Sequence, residues 1–480
     1  MNTTINKSII LLTIFFCINT FPQEKYEYTK ETDTLVLQKL EQWQNLKFGL
    51  MMHWGPYSQW GVTESWTICS EDWINRKSDD YNEYKLQYKK LKNTFNPTDF
   101  NPAKWVQAAK DAGMKYVVFT TKHHDGFSMF DTKQTDYKIT DEDSPFHTNP
   151  KANITKEIFS AFQKENFMIG AYFSKPDWNN NNYWWKYYAT PDRHVNYDIK
   201  KYPERWEKFV EFTHNQIDEL MTDYGRVDIL WLDGGWVRQR SETEIEEAKE
   251  NNPYNFCRIQ NQDINMPLLV KKARSKQPGL IVVDRTVSGP YENYLTPENK
   301  VPDTPLPYPW ETCMPMARSW SYVPNDNYKS ARRLIHLLAD IVSKGGNFLL
   351  NIGPGPKGDF DQTAYDRLKE IGDWMKVNGE AIYNSHPVEP YKEGNVCFTQ
   401  LQDETVYAIY LTDEREDSLP EKLSFSKFCP SPNSEIELLG TNTKIKWHKT
   451  DNGCELEIPE SVHENLPSEY ALVFKIKKVP

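Results

Sequence analysis

The sequence predicts a (β/α)8-like TIM barrel followed by a C-terminal antiparallel β-sandwich. Three observations point there. Short apolar, β-branched runs alternate with amphipathic helical stretches over roughly 350 residues, the mark of parallel βαβ units. No Gly-x-Gly-x-x-Gly follows the first of these runs, which disfavours a dinucleotide-binding sheet and favours a closed barrel. From about Pro387 the pattern changes to short alternating strands separated by Asp, Asn, Gly and Pro turns. A chain of 480 residues also exceeds one ordinary core and suits a large domain with a smaller one. The expected boundaries are a leader at 1–23, a barrel at 24–386 and a sandwich at 387–480.

Within the leader, Lys7 precedes an apolar run from Ile9 to Ile18 that is too short to span a bilayer comfortably. Cys17 lies in that run, but Phe16 before it does not suit a lipid-attachment site. The mature chain is therefore expected to be exported, periplasmic or secreted, with no membrane span. Residues 27–46 predict a leading helix, and 47–55 a strand ending in His53-Trp54. A loop dense in aromatics and acids follows, with Glu64, Trp66, Glu71 and Trp73. Pro102 opens a helix and Gly113 closes it. The stretch 116–121 is a strand running into Lys122-His-His-Asp-Gly-Phe127. A helix over 154–165, a strand over 168–174 and a long amphipathic helix over 203–224 come next. Residues 227–232 are an apolar, β-branched strand that delivers Asp233, with Gly234-Gly235 leaving room beside the backbone. After an acidic stretch at 242–250, a helix covers 266–276 and a strand 280–284 runs into Arg285. An irregular segment, 287–309, precedes Trp310 to Met314 and Trp320 to Tyr322. A helix over 328–343, a strand over 347–352 and a helix over 362–378 complete the barrel. The tail strands are read at 396–399, 405–410, 434–439 and 470–475, in a domain expected to brace the barrel.

The formal charge is −11, from 57 basic and 68 acidic residues, which argues against a nucleic-acid binder. Aromatics reach 14 %, with 16 Trp and 27 Tyr. Such richness fits a large aromatic core or a sugar-binding cleft, because aromatic faces stack on the C–H faces of pyranose rings. Beyond the leader, Cys69, Cys257, Cys313, Cys397, Cys429 and Cys454 are irregularly spaced. No Cys-x-x-Cys suggests a zinc or redox site, although Cys429 and Cys454 could pair.

In such a barrel the active site gathers at the C-terminal ends of the strands. His53-Trp54, His123-His124-Asp125, Tyr172, Trp231 with Asp233, and Arg285 all stand at predicted strand ends. Together they define a pocket with hydrogen-bond donors, aromatic walls and a carboxylate. Two chemistries fit it. Metal-assisted hydrolysis would use His123, His124 and Asp125, but adjacent strand residues point to opposite faces and no His-Glu-x-x-His spacing appears. Glycoside hydrolysis would use two carboxylates, with Asp233 as one and Glu292, Glu298 or Glu311 as the other.

Several longer motifs carry a resemblance. They are Phe48-Gly49 through His53-Trp54-Gly55, Asp111 to Tyr116 with Lys122 to Phe127, Trp231-Leu-Asp-Gly234, Trp310-Glu-Thr-Cys313, and Val342 to Pro354. In this order, over residues 46–385, the chain resembles the α-L-fucosidases of glycoside hydrolase family 29. The resemblance implies a barrel with a C-terminal sandwich and a retaining mechanism through a covalent fucosyl-enzyme. Asp233 takes the position of the family nucleophile. Tyr294-Leu-Thr-Pro-Glu298 is similar to the segment carrying the acid/base, so Glu298 is expected there, with Glu292 and Glu311 in reserve. His53, Glu64, Trp66, His123, His124, Tyr172, Trp231 and Arg285 resemble residues lining the fucose subsite, and Trp320 is expected to face the C5 methyl. Glu71/Trp73 competes with Glu64/Trp66 for its place. The partner implied is a fucosylated glycan, with no cofactor and no metal, and the oligomeric state is left open. A related sugar, or a non-catalytic carbohydrate-binding role, is the alternative.

Overall fold

The computed structural model describes residues 28–71, 73–74, 76, 78, 80–190, 192–251, 259–413 and 419–477. The expected leader and Cys257 lie outside them. Seven strands form a parallel sheet: β1 (Phe48–Met52), β2 (Tyr116–Lys122), β3 (Met168–Ser174), β4 (Ile229–Asp233), β5 (Ile281–Asp284), β6 (Glu311–Pro315) and β7 (Asn347–Ile352). Their order is β5-β4-β3-β2-β1-β7-β6. All but the last residue of β4 are buried, which is why these strands read as continuous apolar runs rather than alternations.

The sheet curves into a barrel, but β5 and β6 do not pair. The irregular segment passes between them instead. Glu292 bridges Val283 of β5, while Leu295 and Glu298 bridge Trp310 and Cys313 at β6. Backbone bonds such as Asn293 N to Val282 O (2.9 Å) and Glu311 N to Leu295 O (2.8 Å) stitch it to both sides. Residues 292–298 thus occupy the place of the eighth strand, and Glu298 stands at its C-terminal end.

The helices of the barrel are α1 (Thr34–Leu46), α2 (Tyr81–Lys89), α3 (Pro102–Asp111), α4 (Ile154–Lys164), α5 (Pro203–Asp223), α6 (Glu242–Asn251), α7 (Met266–Lys276), α8 (Ala331–Ser343) and α9 (Gln362–Asn378). The leading helix starts later than its pattern suggested, because the Asp33 carboxylate caps it by accepting from Leu35 N at 2.9 Å. Helices α2 and α6 were not anticipated. Each buries a single side chain, Tyr88 and Ile245, so neither writes an apolar stripe into the sequence.

The tail folds as two antiparallel sheets. One contains β8 (His386–Glu393), β9 (Val396–Gln400), β10 (Val406–Leu411), β12 (Glu435–Leu438) and β15 (Ala471–Lys477). The other contains β11 (Lys422–Phe425), β13 (Lys446–Thr450) and β14 (Gly453–Glu457), and a short helix α10 (Glu460–Glu464) precedes β15. Between the sheets lies a separate core around Phe398, Phe425, Leu438, Leu456 and Phe474. The opposite face, with Tyr407, Ile409 and Val473, joins the barrel core, and Trp374 Nε1 donates to Ala471 O at 3.0 Å. This shared apolar contact lets the sandwich brace α8 and α9.

Cys429 and Cys454 do not pair. Both are free thiols, as are Cys69, Cys313 and Cys397, and Cys454 Sγ donates to Phe428 O at 3.2 Å. Among the described residues no helix is long and apolar enough to cross a membrane.

Candidate active site

A cavity of about 630 Å³ opens at the C-terminal ends of the parallel strands. His53, Glu64, Trp66, His123, His124, Tyr172, Trp231, Asp233, Arg285, Glu298 and Trp320 all line it, whereas the candidates Asp125, Glu292, Glu311 and Glu71 do not. A second cavity, about 700 Å³, lies between α8 and the sandwich. Its Lys329 and His336 are engaged with backbone carbonyls, and it runs along the seam between the barrel and the sandwich.

Asp233 ends β4. Gly234 follows with φ +91°, and a Cβ there would lie 2.4 Å from Pro176, so only glycine turns the chain this sharply. Gly234 N and Arg285 Nη1 donate to Asp233 Oδ1 at 2.8 and 3.2 Å, and the Tyr172 hydroxyl donates to Oδ2 at 2.7 Å. Burial pushes this carboxyl up, but Arg285 and the donors around it prevail and hold it well below the usual carboxylate range. It is the ionised form that these contacts favour. Trp231 stacks on Tyr172 with centroids 5.2 Å apart, and the Arg285 guanidinium lies 5.3 Å from its ring.

The second carboxylate is separated from its rivals by position. Glu298 lines the cavity, and Arg285 Nη2 donates to its Oε2 while Nη1 holds Asp233. One guanidinium therefore bridges both acids. The Glu298 side chain is 41 % exposed against 15 % for Asp233. Glu292 is buried and accepts from Thr286 N at 2.9 Å, which ties the closing segment to β5. Glu311 lies inside the barrel beneath the cavity. It accepts from the Tyr116 hydroxyl at 2.7 Å and from Trp231 Nε1 at 3.4 Å. Gly49 makes room for this arrangement, since a Cβ there would sit 2.4 Å from the Tyr116 ring.

The expectation that His123 and His124 point to opposite faces is overturned. The register slips between Thr120 and Lys122, β2 ends at Lys122, and the two rings follow it with centroids 4.3 Å apart, both lining the cavity. Asp125, proposed with them as a metal ligand, turns away and accepts from the Tyr88 hydroxyl at 2.7 Å. Asp233 is the acid that approaches instead: one donor atom each of His123, His124 and Asp233 lie within 4.8 Å of one another. Arg285 sets a fixed positive charge beside that trio, which opposes a dication.

Burial lowers the imidazoles, His53 and His124 to about 4 and His123 well below its ordinary value. They are neutral hydrogen-bonding groups near pH 7. Asn351 Nδ2 donates to Trp320 O at 2.6 Å, which leaves its Oδ1 facing His53 Nδ1 at 2.8 Å. His53 Nδ1 is then the donor and Nε2 a free acceptor. His123 Nδ1 is engaged by Ser65 Oγ at 2.6 Å.

The two Glu/Trp clusters also separate. Glu64 is buried and lines the cavity, accepting from Ser321 N at 2.8 Å, with a left-handed φ of +29° that the packing must enforce. Burial pushes its carboxyl up to about 7. Glu71 stays behind the wall, accepting from Arg193 Nε at 2.7 Å. Both Trp66 and Trp73 line the cavity, Trp66 inside and Trp73 at the mouth. Trp320 faces His53 with centroids 5.1 Å apart. Arg193 and Trp236 are wall residues that sequence reasoning missed. Trp236 could have been found from its place in Asp233-Gly-Gly-Trp236. Arg193 sits in a loop without periodicity and gives no such signal.

Glu311 supports a stability prediction. Burial pushes its carboxyl up to about 7, against hydrogen bonds from Tyr116 and Trp231 that lower it, while its ordinary value is 4.5. Below the ordinary value both folded and unfolded chains hold this proton. As pH rises toward 7 only the folded chain keeps it, so stability falls, by roughly 3 kcal/mol once the folded value is passed. Glu311→Gln removes that dependence. Melting curves at about pH 5 and about pH 8 are expected to show the wild type losing stability relative to the variant at the higher pH. A gap that does not change with pH would disprove it.

The chain matches the α-L-fucosidase family model over residues 15–380 and the α-L-fucosidase C-terminal domain model over residues 390–477. Tissue α-L-fucosidase of Mus musculus is 27 % identical over 476 residues, covering 94 % of this chain and 95 % of that protein. The α-L-fucosidase of Branchiostoma floridae is 26 % identical over 481 residues, covering 94 % and 96 %. Among solved structures, α-L-fucosidase isoenzyme 1 from Paenibacillus thiaminolyticus superposes with a TM-score of 0.73 at 27 % identity, covering 93 % of this chain and 100 % of that one. A family 29 α-L-fucosidase from Bacteroides thetaiotaomicron, solved as a trapped covalent intermediate, shares the fold with a TM-score of 0.70 at 22 % identity, covering 95 % and 99 %. With both of its folded parts matched, and in that order, the chain belongs to the α-L-fucosidase family of glycoside hydrolases.

Proposed function

We propose that this protein is an exo-acting, retaining α-L-fucosidase that releases terminal α-L-fucose from glycans by double displacement. The observation that carries this is the pair Asp233 and Glu298, which face one cavity and share the Arg285 guanidinium. In the first step an Asp233 oxygen bonds to the anomeric carbon while the glycosidic C–O bond breaks. Glu298 gives its proton to the leaving oxygen. In the second step Glu298 takes a proton from water, the water oxygen bonds to the anomeric carbon, and the Asp233 carboxylate leaves. The Tyr172 hydroxyl, Gly234 N and Arg285 spread the charge on Asp233, so it is a poised leaving group as well as a nucleophile.

Glu64, His53, His123, His124 and Trp66 supply the hydrogen-bonding wall that three ring hydroxyls need. Trp320 is the apolar surface suited to the C5 methyl. A site fitted to that methyl disfavours sugars with an extra hydroxymethyl, though only modestly for one group. The leader-like residues 1–23 support export, to the periplasm or beyond the cell, where the substrate would be a fucosylated glycan.

The test is proton NMR of the hydrolysis of linkage-defined fucosyl oligosaccharides. Free fucose should appear first as the α-anomer and then mutarotate. First appearance of the β-anomer would mean inversion and exclude the fucosyl-enzyme; no fucose from any linkage would reject the activity.

A further inference from the structure

We infer that the buried ion pair of Lys175 and Asp284 positions the nucleophile, by tying β3 to β5 behind the strand that carries Asp233. The inference rests on the fucosidase reading of Asp233 and adds two positioning residues that do not line the cavity.

Three neighbouring strands supply the nucleophile and two of the groups that hold it. Tyr172 comes from β3, Asp233 ends β4, and Arg285 follows β5. Side chains alternate between the two faces of a strand. Tyr172, Trp231 and Val283 belong to the cluster inside the barrel, while Phe173, Leu232 and Val282 belong to the core under the helices. The same alternation puts Asp284 on the outer face and Arg285 on the inner one. Ser174 faces inward, its hydroxyl 3.2 Å from that of Tyr172, so Lys175 faces outward. Lys175 Nζ and Asp284 Oδ1 therefore meet on the outer side, across β4. Backbone bonds carry this tie to the site. Lys175 N donates to Asp233 O at 2.9 Å, and Arg285 N donates to Leu232 O at 3.1 Å.

Stability does not account for the pair. Both side chains are buried, and burial raises the Asp284 carboxyl above its ordinary value although Lys175 and Arg238 lower it. Two apolar side chains of similar volume serve as well or better in so dry a place. What they lack is direction. An ammonium donating to a carboxylate fixes the separation of the strands that bear them. That separation sets the reach of Arg285 Nη1 to Asp233 Oδ1, 3.2 Å, and of the Tyr172 hydroxyl to Oδ2, 2.7 Å. His53, Glu64 and His123, which form the sugar-binding wall, stand at the ends of β1 and β2 and in the loop between them. The pair thus bears on bond making at the anomeric carbon more than on holding the sugar.

The test is the double variant Lys175→Met/Asp284→Leu, which removes both charges and leaves none unpaired. It should melt at or above the wild-type temperature. Its kcat on 4-nitrophenyl α-L-fucoside should fall about 10²-fold, the effect of a displacement on the order of 1 Å at the reacting groups. Competitive inhibition by L-fucose should change by less than about threefold, since the binding wall is untouched. Wild-type kcat in the folded double variant would overturn the inference, and so would kcat and fucose binding falling together. Should the double variant not fold, Asp284→Asn keeps the shape and weakens the tie. It is expected to show the same split with kcat about tenfold lower, and unchanged kcat there counts equally against the pair. If the wild-type protein releases no fucose, the fucosidase reading falls separately. Crystal structures of wild type and double variant then decide: Arg285 drawn away from Asp233 by on the order of 1 Å upholds the positioning role, and an unmoved Arg285 rejects it.

Discussion

Asp233→Ala lowers turnover of an aryl α-L-fucoside by about four orders of magnitude or more, as expected when the atom that must bond to carbon is removed. No neighbour can replace it. Glu64 is turned to Ser321, Glu311 is sealed beneath Trp231, and among the described residues Glu298 is the only other carboxylate that combines cavity lining with solvent access. The variant should still fold. Asp233 contributes little apolar burial, and Arg285 keeps Glu298 as a partner once Asp233 is gone. In Asp233→Gly, added azide is expected to restore part of the turnover, because a small anion can occupy the carboxylate's place. It attacks the anomeric carbon from the face Asp233 used, and the product is the inverted β-L-fucosyl azide. Substantial residual hydrolysis by the purified alanine variant, without azide, would remove Asp233 from the mechanism.

The parts of this fold that bury an apolar face were the parts legible in the sequence. Strand β3, strand β7, and helices α7 and α9 begin and end where the apolar pattern places them. Helices α2 and α6 bury one residue each, so periodicity has nothing to report. The eighth position of the barrel is another such case. Residues 292–298 take a strand's place with scattered bridges and no regular ladder, so their composition is that of a loop. Site residues delivered by strands, such as His53, Asp233 and Arg285, followed from the rule that strand ends gather. The facing of His123 and His124 did not, because a register slip beside Thr120 changes which side a residue presents without changing its type. Trp73 and Arg193 come from loops, whose paths depend on tertiary partners such as Glu71 and Trp236.

Glu298→Ala is expected to show a leaving-group dependence that no merely structural residue would produce. On a fucosyl oligosaccharide the departing alkoxide needs its proton, and removal of the acid should lower kcat/KM by roughly 10²- to 10⁴-fold. With 4-nitrophenyl α-L-fucoside or the fluoride, bond cleavage needs little protonation, so the first step should proceed and the slowed second step should limit turnover. A burst of leaving group, followed by a slow steady state, is the expected trace. Azide again separates the two carboxylates. In Glu298→Ala it enters where the general base would have activated water, attacks the fucosyl-Asp233 ester, and yields the retained α-L-fucosyl azide. In Asp233→Gly the same anion yields the β-product. Opposite configurations from the two variants would assign both roles by stereochemistry alone. If Glu298→Ala harms oligosaccharide and activated substrates equally, or yields the β-azide, Glu298 is not the acid/base, and its bond to Arg285 serves only to hold the closing segment at the barrel's eighth position.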